Sequence, residues 1–558
     1  MAMRRYKILL LSALLCSSSF SQTDTVSITV DNAKAEGPLN YIWAWFGYDE
    51  PNYTYMKNGK KLLSELAALS PVPVHIRTHN LMTTGDGTPA LKWGSTNMYT
   101  EDNAGNPVYS WSIVDSIFDT YIDRKMKPLV EIGFMPEALS THPEPYQHHW
   151  AAGSSNPLAT GWAYPPKDYR KWSELIYRWV KHCVQRYGKT AVEDWYWEVW
   201  NEPDIFYLMS DHKIHDYCRM YDYASDAVKR ALPTARFGGP HSTGGGAWFL
   251  RRFLRHCIVD TNAATGKIGA PLDYIAFHAK GSPDFVGGVV RMGMKSQLNN
   301  IKDNFSVITS FPEFKSLPVI IGESDPEGCA ACGVMTNPEN AYRNGTLYAS
   351  YEAASIPRIY DMAAYYGINL LGAVNWSFEF ENQPWFAGYR SLATNGVDKP
   401  VLNVFRMLGM MSGNRVGVSG GSGYTFKTIC DSGVRGEQTD INAFACSDNN
   451  SITVLLWNYH DVDIHDVGSP VAVNVKGIPA KEATLTQYRI DDEHSNSYEV
   501  WKTMGSPQHP TAGQIAVLEK AGQLEMLSDR EEITMTHGIA TIHLQLPRQA
   551  VSLLKITY

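Results

Sequence analysis

Eight short apolar runs alternating with amphipathic stretches predict an α/β chain. The expected arrangement is a (β/α)8 TIM barrel over residues 37–411 followed by an antiparallel β-sandwich over 412–558. Two more observations support it. After VFRMLGMM (404–411) the texture changes to glycine-rich turns and β-like runs. The chain has 558 residues, 44% hydrophobic and 19% charged, which is too long for one ordinary domain and too apolar for a disordered chain or a coiled coil.

The chain opens MAMRRYKILLLSALLCSSSFSQ. Arg4, Arg5 and Lys7 precede an apolar run, and small residues continue to Ser21. This is the pattern of a secretory signal peptide over residues 1–21, too short to span a membrane. It predicts a periplasmic or extracellular protein with no membrane insertion. Cys16 suggests a lipoprotein anchor, but Leu15 before it is bulky where a small residue is needed. SITVDN (27–32) reads as a strand, and residues 22–36 are expected to join the sandwich because chain ends often lie close together.

The barrel strands are expected at YIWAWF (41–46), VPVHIR (72–77), KPLVEIGF (127–134), DWYWEVW (194–200), ARFGG (235–239), LDYIAFH (272–278), LPVIIGE (317–323) and INLLGAVNW (368–376). Of the helices between them, KDYRKWSELIYRWVKHCVQRYG (167–188) is the clearest. Trp172, Ile176, Trp179, Val180 and Cys183 recur near a 3.6-residue period, and Gly188 ends it. Residues 217–232, closed by Pro233, form another. An open α/β sheet is the competing arrangement, but no glycine-rich nucleotide-binding motif opens a helix here. In the C-terminal part, SITVLLWNYH (451–460), PVAVNVKG (470–477), EATLTQYRI (482–490), IATIHLQL (540–547) and VSLLKITY (551–558) read as strands. The polar segment 491–513 is an insertion long enough to reach the barrel.

With 49 basic and 57 acidic residues the net charge is −8, which argues against a nucleic-acid surface. The 16 Trp and 31 Tyr either fill the core or line a cleft that stacks on sugar faces; Trp197, Trp200 and Trp376 are placed to do the latter. Cys329 and Cys332 form a single CxxC, weak for zinc without a second pair, and read as a local disulfide or plain loop cysteines.

Two sequences carry the chemistry. In WEVWNEPD (197–204) an apolar strand ends in Asn201 and Glu202 at the tip that faces a barrel's active site, and Pro203 fixes the backbone behind them. In LPVIIGESDPEG (317–328) Glu323 leaves an apolar strand at the equivalent tip; Asp325 and Glu327 are its neighbours and rivals. Two carboxyls in one pocket suit glycoside hydrolysis, one as acid and one as nucleophile. Taken singly, any strand must end in polar residues. Several tips converge, however: Arg77 and His79, Glu131, His278 and Lys280, and Trp376. A metal held by His79, His278 and the glutamates is an alternative that no short-spaced ligand cluster supports.

At these residues the chain resembles glycoside hydrolase family 39, and the resemblance extends over nearly all of it after the leader. It implies that Glu202 is the acid/base, Glu323 the nucleophile, and Asn201 a partner of the sugar 2-hydroxyl. Two activities of that family compete, β-xylosidase and α-L-iduronidase. RTHN (77–80), YDYASDAVKRALPTARFGGP (221–240), FLRHC (253–257) and LDYIAFHAKG (272–281) are more similar to the iduronidase branch. There a lysine like Lys280 and an arginine like Arg390 would clamp a uronate carboxylate. The alternative is that both pair with acids such as Asp325 or Glu381. Release of a terminal β-xyloside from plant-type glycans is the first expectation; an iduronidase-like uronidase or an arabinosidase is the alternative. His79, Glu131, His278 and Trp376 are the remaining expected substrate contacts. No cofactor and no metal is expected, and the family resemblance brings in self-association as a homo-oligomer. The classes set against a retaining exo-hydrolase are a carbohydrate-binding protein on an inactive barrel, a metal-dependent hydrolase and an endo-acting polysaccharidase.

Overall fold

The computed structural model describes residues 25–152, 158–464 and 468–558. The expected leader, residues 1–21, lies outside them. The fold is mixed α/β, with a nearly closed parallel barrel and a large mixed sheet.

The barrel strands run Trp45–Tyr48, His75–Thr78, Lys127–Ile132, Tyr196–Val199, Arg236–Ser242, Tyr274–Lys280, Val319–Asp325, Leu370–Ala373 and Asn375–Trp376. The last two are separated only by Val374; the first of them pairs with Val319–Asp325 and the second with Trp45–Tyr48, which brings the sheet round on itself. Each apolar run expected to be a strand overlaps one. The first begins later than expected, at Trp45, because residues 41–44 form a turn.

Alternation within the strands decides which residues see the barrel interior. Trp45, Leu129, Tyr196, Tyr274, Ala276, Ile320, Val374 and Trp376 pack together as an apolar plug. Tyr196 and Glu198 therefore share the inner face, while Trp197 and Val199 point outward to the helices. Trp197 packs against Trp179 and Trp195, and Trp200 against Phe134; both are fully buried core residues and not walls of a sugar pocket. The helix Tyr169–Tyr187 buries Trp172, Ile176, Trp179, Val180 and Cys183 as its periodicity requires. Asp168 caps it by accepting from the N–H groups of Arg170 and Lys171, and Gly188 ends it at φ 86°.

After residue 411 the strands pair antiparallel with one another, but in place of the expected sandwich their hydrogen bonds run through one ten-stranded sheet, made mixed by an N-terminal strand. The strand Val26–Pro38 lies inside it, antiparallel to Asn414–Gly420 and parallel to Ser469–Lys476. One face of this sheet forms its own cluster around Ile28, Val454 and Val473. The other, through Leu455, Trp457 and Tyr459, joins the barrel core. The helix Thr346–Tyr366 is buried on nearly every face between the two, and its Arg358 donates to Asp440 at 2.8 Å. The polar insertion forms the helices Ser497–Thr503 and Ala512–Ala521. It does reach the barrel: Trp501 packs on Phe386, and Gln508 accepts from Trp385 N at 2.9 Å. Cys329 and Cys332 are disulfide-bonded. No helix among the described residues is long and apolar enough to cross a membrane.

Candidate active site

Above the apolar plug, the C-terminal ends of the strands carry a polar layer whose centre is Arg77. Its guanidinium donates to Glu198 Oε1 at 2.7 Å, Glu131 Oε2 at 3.0 Å, Glu323 Oε1 at 3.1 Å and Asn201 Oδ1 at 3.1 Å. Glu131 and Glu198 are register partners on adjacent parallel strands, so two buried carboxyls face each other with Arg77 between them. One planar cation with several donors suits that task better than an ammonium. Behind it, His241 meets the second oxygen of Glu198.

The strand register also sets the pairs around the two expected catalytic glutamates. Glu323 lies beside His278, and Asp325 beside Lys280. His278 Nδ1 is 2.9 Å from Glu202 Oε1 and 3.5 Å from Glu323 Oε1. One ligand atom from each of Glu202, His278 and Glu323 lies within 4.8 Å of the others. The Lys280 ammonium contacts Glu323. His79 donates from Nδ1 to Asp49 at 2.9 Å, and its Nε2 lies 3.3 Å from Glu131 and 3.5 Å from Glu323. Trp376 tilts against His79 at 4.4 Å, lies under the Arg77 guanidinium at 4.9 Å, and donates its ring N–H to Asp49 at 3.1 Å. Gly47 makes room for that ring, since a Cβ there would sit 2.3 Å from it. The backbone is left-handed at Trp200 (φ 69°), Glu202 (φ 37°) and His241 (φ 52°). Such conformations are costly for non-glycine residues and collect at functional sites. Here the turn is held by Glu202 N donating to His241 O at 3.0 Å.

Glu202 and Glu323 are 7% and 2% exposed, and their surroundings drive their acidities apart. Burial pushes the Glu202 carboxyl up to about 7; Glu323 adds to the rise and Lys280 opposes it. Burial also raises Glu323, but His278, Lys280, His79 and Arg77 outweigh it and hold that carboxyl well below the usual range. His278 is itself pushed well down by burial and is neutral, so the charge that keeps Glu323 ionised comes from Lys280, His79 and Arg77. Burial lowers His79 too, but Glu131, Asp49 and Glu323 lift it to about 10 and keep it an imidazolium. Burial raises the Glu131 carboxyl to about 8, with His79 and Arg77 opposing the rise. The result is a carboxyl that still carries a proton up to about neutral pH beside one that is ionised, the division of labour that acid and nucleophile require. The Glu202–His278–Glu323 spacing would also suit a cation. Lys280 and Arg77 already supply positive charge to Glu323, which argues against a metal in that place.

The expected site residues Asn201, Glu202, Glu323, His79, Glu131, His278, Lys280 and Trp376 are thus brought together. Arg390 stands apart. It is fully buried and bonds Asp325 at 2.5 Å, while Asp325 accepts from Trp376 N at 2.8 Å. Lys280 is turned onto Glu323, so both members of the expected carboxylate clamp engage the protein's own acids. Asp325 and Glu327 anchor loops, the latter through Tyr342 and Arg343. Asp49, Glu198 and His241 are part of the layer but were not among the expected residues. Asp49 follows the first strand as His79 follows the second, a signal available in FGYDEP. Glu198 interrupts an apolar strand, which marks an inward-facing charge.

A family model for glycosyl hydrolases family 39 matches residues 26–530. The chain belongs to that family. It is a glycoside hydrolase. A beta-xylosidase of Caldicellulosiruptor saccharolyticus is 27% identical over 429 residues, 75% of this chain and 77% of that protein. An alpha-L-iduronidase of Canis lupus familiaris is 24% identical over 550 residues, 92% of this chain and 75% of that one. Among solved structures, a monomeric beta-xylosidase from Caulobacter crescentus CB15 superposes with a TM-score of 0.73 at 20% identity, covering 96% of this chain and 99% of the other. At that identity the likeness is one of fold.

Proposed function

We propose that this family 39 enzyme is a retaining, exo-acting hydrolase in which Glu323 attacks the anomeric carbon and Glu202 protonates the departing oxygen. Glu202 then takes a proton from water, whose oxygen displaces Glu323 and releases the sugar. The observation that carries this reading is the pairing of a Glu202 carboxyl at about 7 with an ionised Glu323, with oxygens of the two inside a 4.8 Å cluster. Retaining enzymes hold their carboxyls about 5–5.5 Å apart; inverting ones leave room for a water and are wider. Proton NMR of the first-formed product tests it. Retained anomeric configuration is expected, and an inverted product, or full turnover by Glu323→Gln, would overturn it.

For the sugar, a terminal β-xyloside is the first reading. Arg390 supports it, because it is fully buried and its ion pair is with Asp325. The uronide reading is favoured by Lys280 alone, whose side chain is 22% exposed beside Glu323. A panel of aryl β-xyloside, α-L-iduronide, arabinosides and β-glucuronide decides between them: the xyloside should be hydrolysed fastest, and a uronide preference lost in Lys280→Met would reverse the assignment. The leader at residues 1–21 supports export to the periplasm or beyond, which cell fractionation checks.

A further inference from the structure

The loop after Glu202 presents a phenyl ring that the chemistry above does not use. Phe206 is 39% exposed. Its loop is nevertheless tethered on all sides. Trp200 Nε1 donates to Tyr207 O at 2.8 Å, Met209 N to Ala163 O at 2.9 Å, and Thr243 N to Asp204 at 2.9 Å; Lys213 reaches the carbonyls of Ile205 and Leu208. A single exposed aromatic is ordinary on a surface. This one is fixed in place on the wall of a narrow cleft, about 30 Å³, that it shares with Tyr207, Lys92 and, from the catalytic layer, His79 and Asp49. Phe206 stacks on Tyr207 with centroids 4.4 Å apart, and Tyr207 meets His79 edge-on at 6.1 Å, so aromatic rings run in contact from His79 in the site to Phe206. Rigid aromatic rings with a few polar groups beside them are what a bound ring needs for orientation.

We propose that Phe206, backed by Tyr207, is a leaving-group subsite that stacks on the apolar face of a sugar ring, and that it tunes the enzyme toward oligosaccharide leaving groups. The direction rests on the reading of Glu202 as the group that protonates the departing oxygen. That group must face the leaving side, and Phe206 directly follows the turn closed by Ile205 N donating to Glu202 O at 3.1 Å.

The test compares kcat/KM on β-xylotriose and on xylosyl fluoride, or on the matching pair for whichever sugar the aryl-glycoside panel selects. The fluoride has no ring in the leaving position and needs no proton to depart. In Phe206→Ala the trisaccharide-to-fluoride ratio should fall about five- to tenfold, mostly through KM, the loss expected for one aromatic stacking contact. Phe206→Trp should restore it. Trp248→Ala, which removes a ring 54% exposed but outside the cleft, is the control. An unchanged ratio in Phe206→Ala, or an equal fall in Trp248→Ala, overturns the proposal. Glu202→Gln in the same assays separates the two ideas. If it slows trisaccharide and fluoride equally, the acid/base reading has failed, whatever Phe206 does.

Discussion

Lys280 supplies a positive charge to both glutamates of the proposed mechanism, and deleting that charge should move both limbs of the pH profile. The ammonium contacts Glu323 and opposes the rise of Glu202. Lys280→Met keeps most of the side chain and removes the charge. A unit charge 4 Å away in an effective dielectric near 20 is worth at most about 4 kcal/mol. Arg77 and His79 remain and solvent re-enters the space, so about 1.4 kcal/mol, or about one pH unit, is the expected effect on Glu202. Losing a cation makes a carboxyl harder to ionise, so both acidities rise. On the proposed mechanism wild-type activity needs Glu202 protonated and Glu323 ionised, which puts the alkaline limb near 7 and the acid limb well below the usual carboxylate range. In Lys280→Met the alkaline limb should move up by about one unit, and the acid limb should move up as well. The assay is kcat/KM against pH on an aryl glycoside, with the fold checked by circular dichroism. An acid limb that stays in place, or an alkaline limb that moves down, would refute the electrostatic reasoning.

Glu202→Gln should depend on the leaving group: kcat/KM should drop about 10²–10⁴-fold on a glycoside with a poor leaving group and far less on a dinitrophenyl glycoside, with the alkaline limb near 7 gone. Arg77→Met strands Glu131, Glu198 and Glu323 without their shared cation, and denaturant unfolding should show a loss of about 3–5 kcal/mol. Asp168→Ala removes the cap from Arg170 and Lys171 N–H and should cost about 1 kcal/mol in the same assay with kcat unchanged.

The barrel was legible because each strand is an apolar run of the right length with turn residues around it, and Glu202 and Glu323 were legible because they leave such runs at equivalent ends. What stayed hidden depends on register. Nothing local says that Glu131 opposes Glu198, or that Glu323 lies beside His278, until adjacent strands are aligned. Trp197 shows the same limit from the other side. It looked like a pocket wall, but Glu198 next to it faces inward, and period-two alternation then sends the indole to the helices. Arg390 was found in sequence by resemblance, while its orientation toward Asp325 is a matter of tertiary packing. The ten-stranded sheet was legible strand by strand in its longer runs. Its single parallel pair was not, because it joins the first strand among the described residues to one some 440 residues later.

The central claim is that Glu323 forms a covalent bond to the sugar while Glu202 does not. Incubation with an activated 2-deoxy-2-fluoro glycoside of the preferred sugar, followed by peptide mass spectrometry, tests it directly. The account predicts one glycosyl adduct per chain, on the peptide containing Glu323. An adduct on Glu202 or Asp325, or turnover with inverted product and no adduct at all, would contradict it.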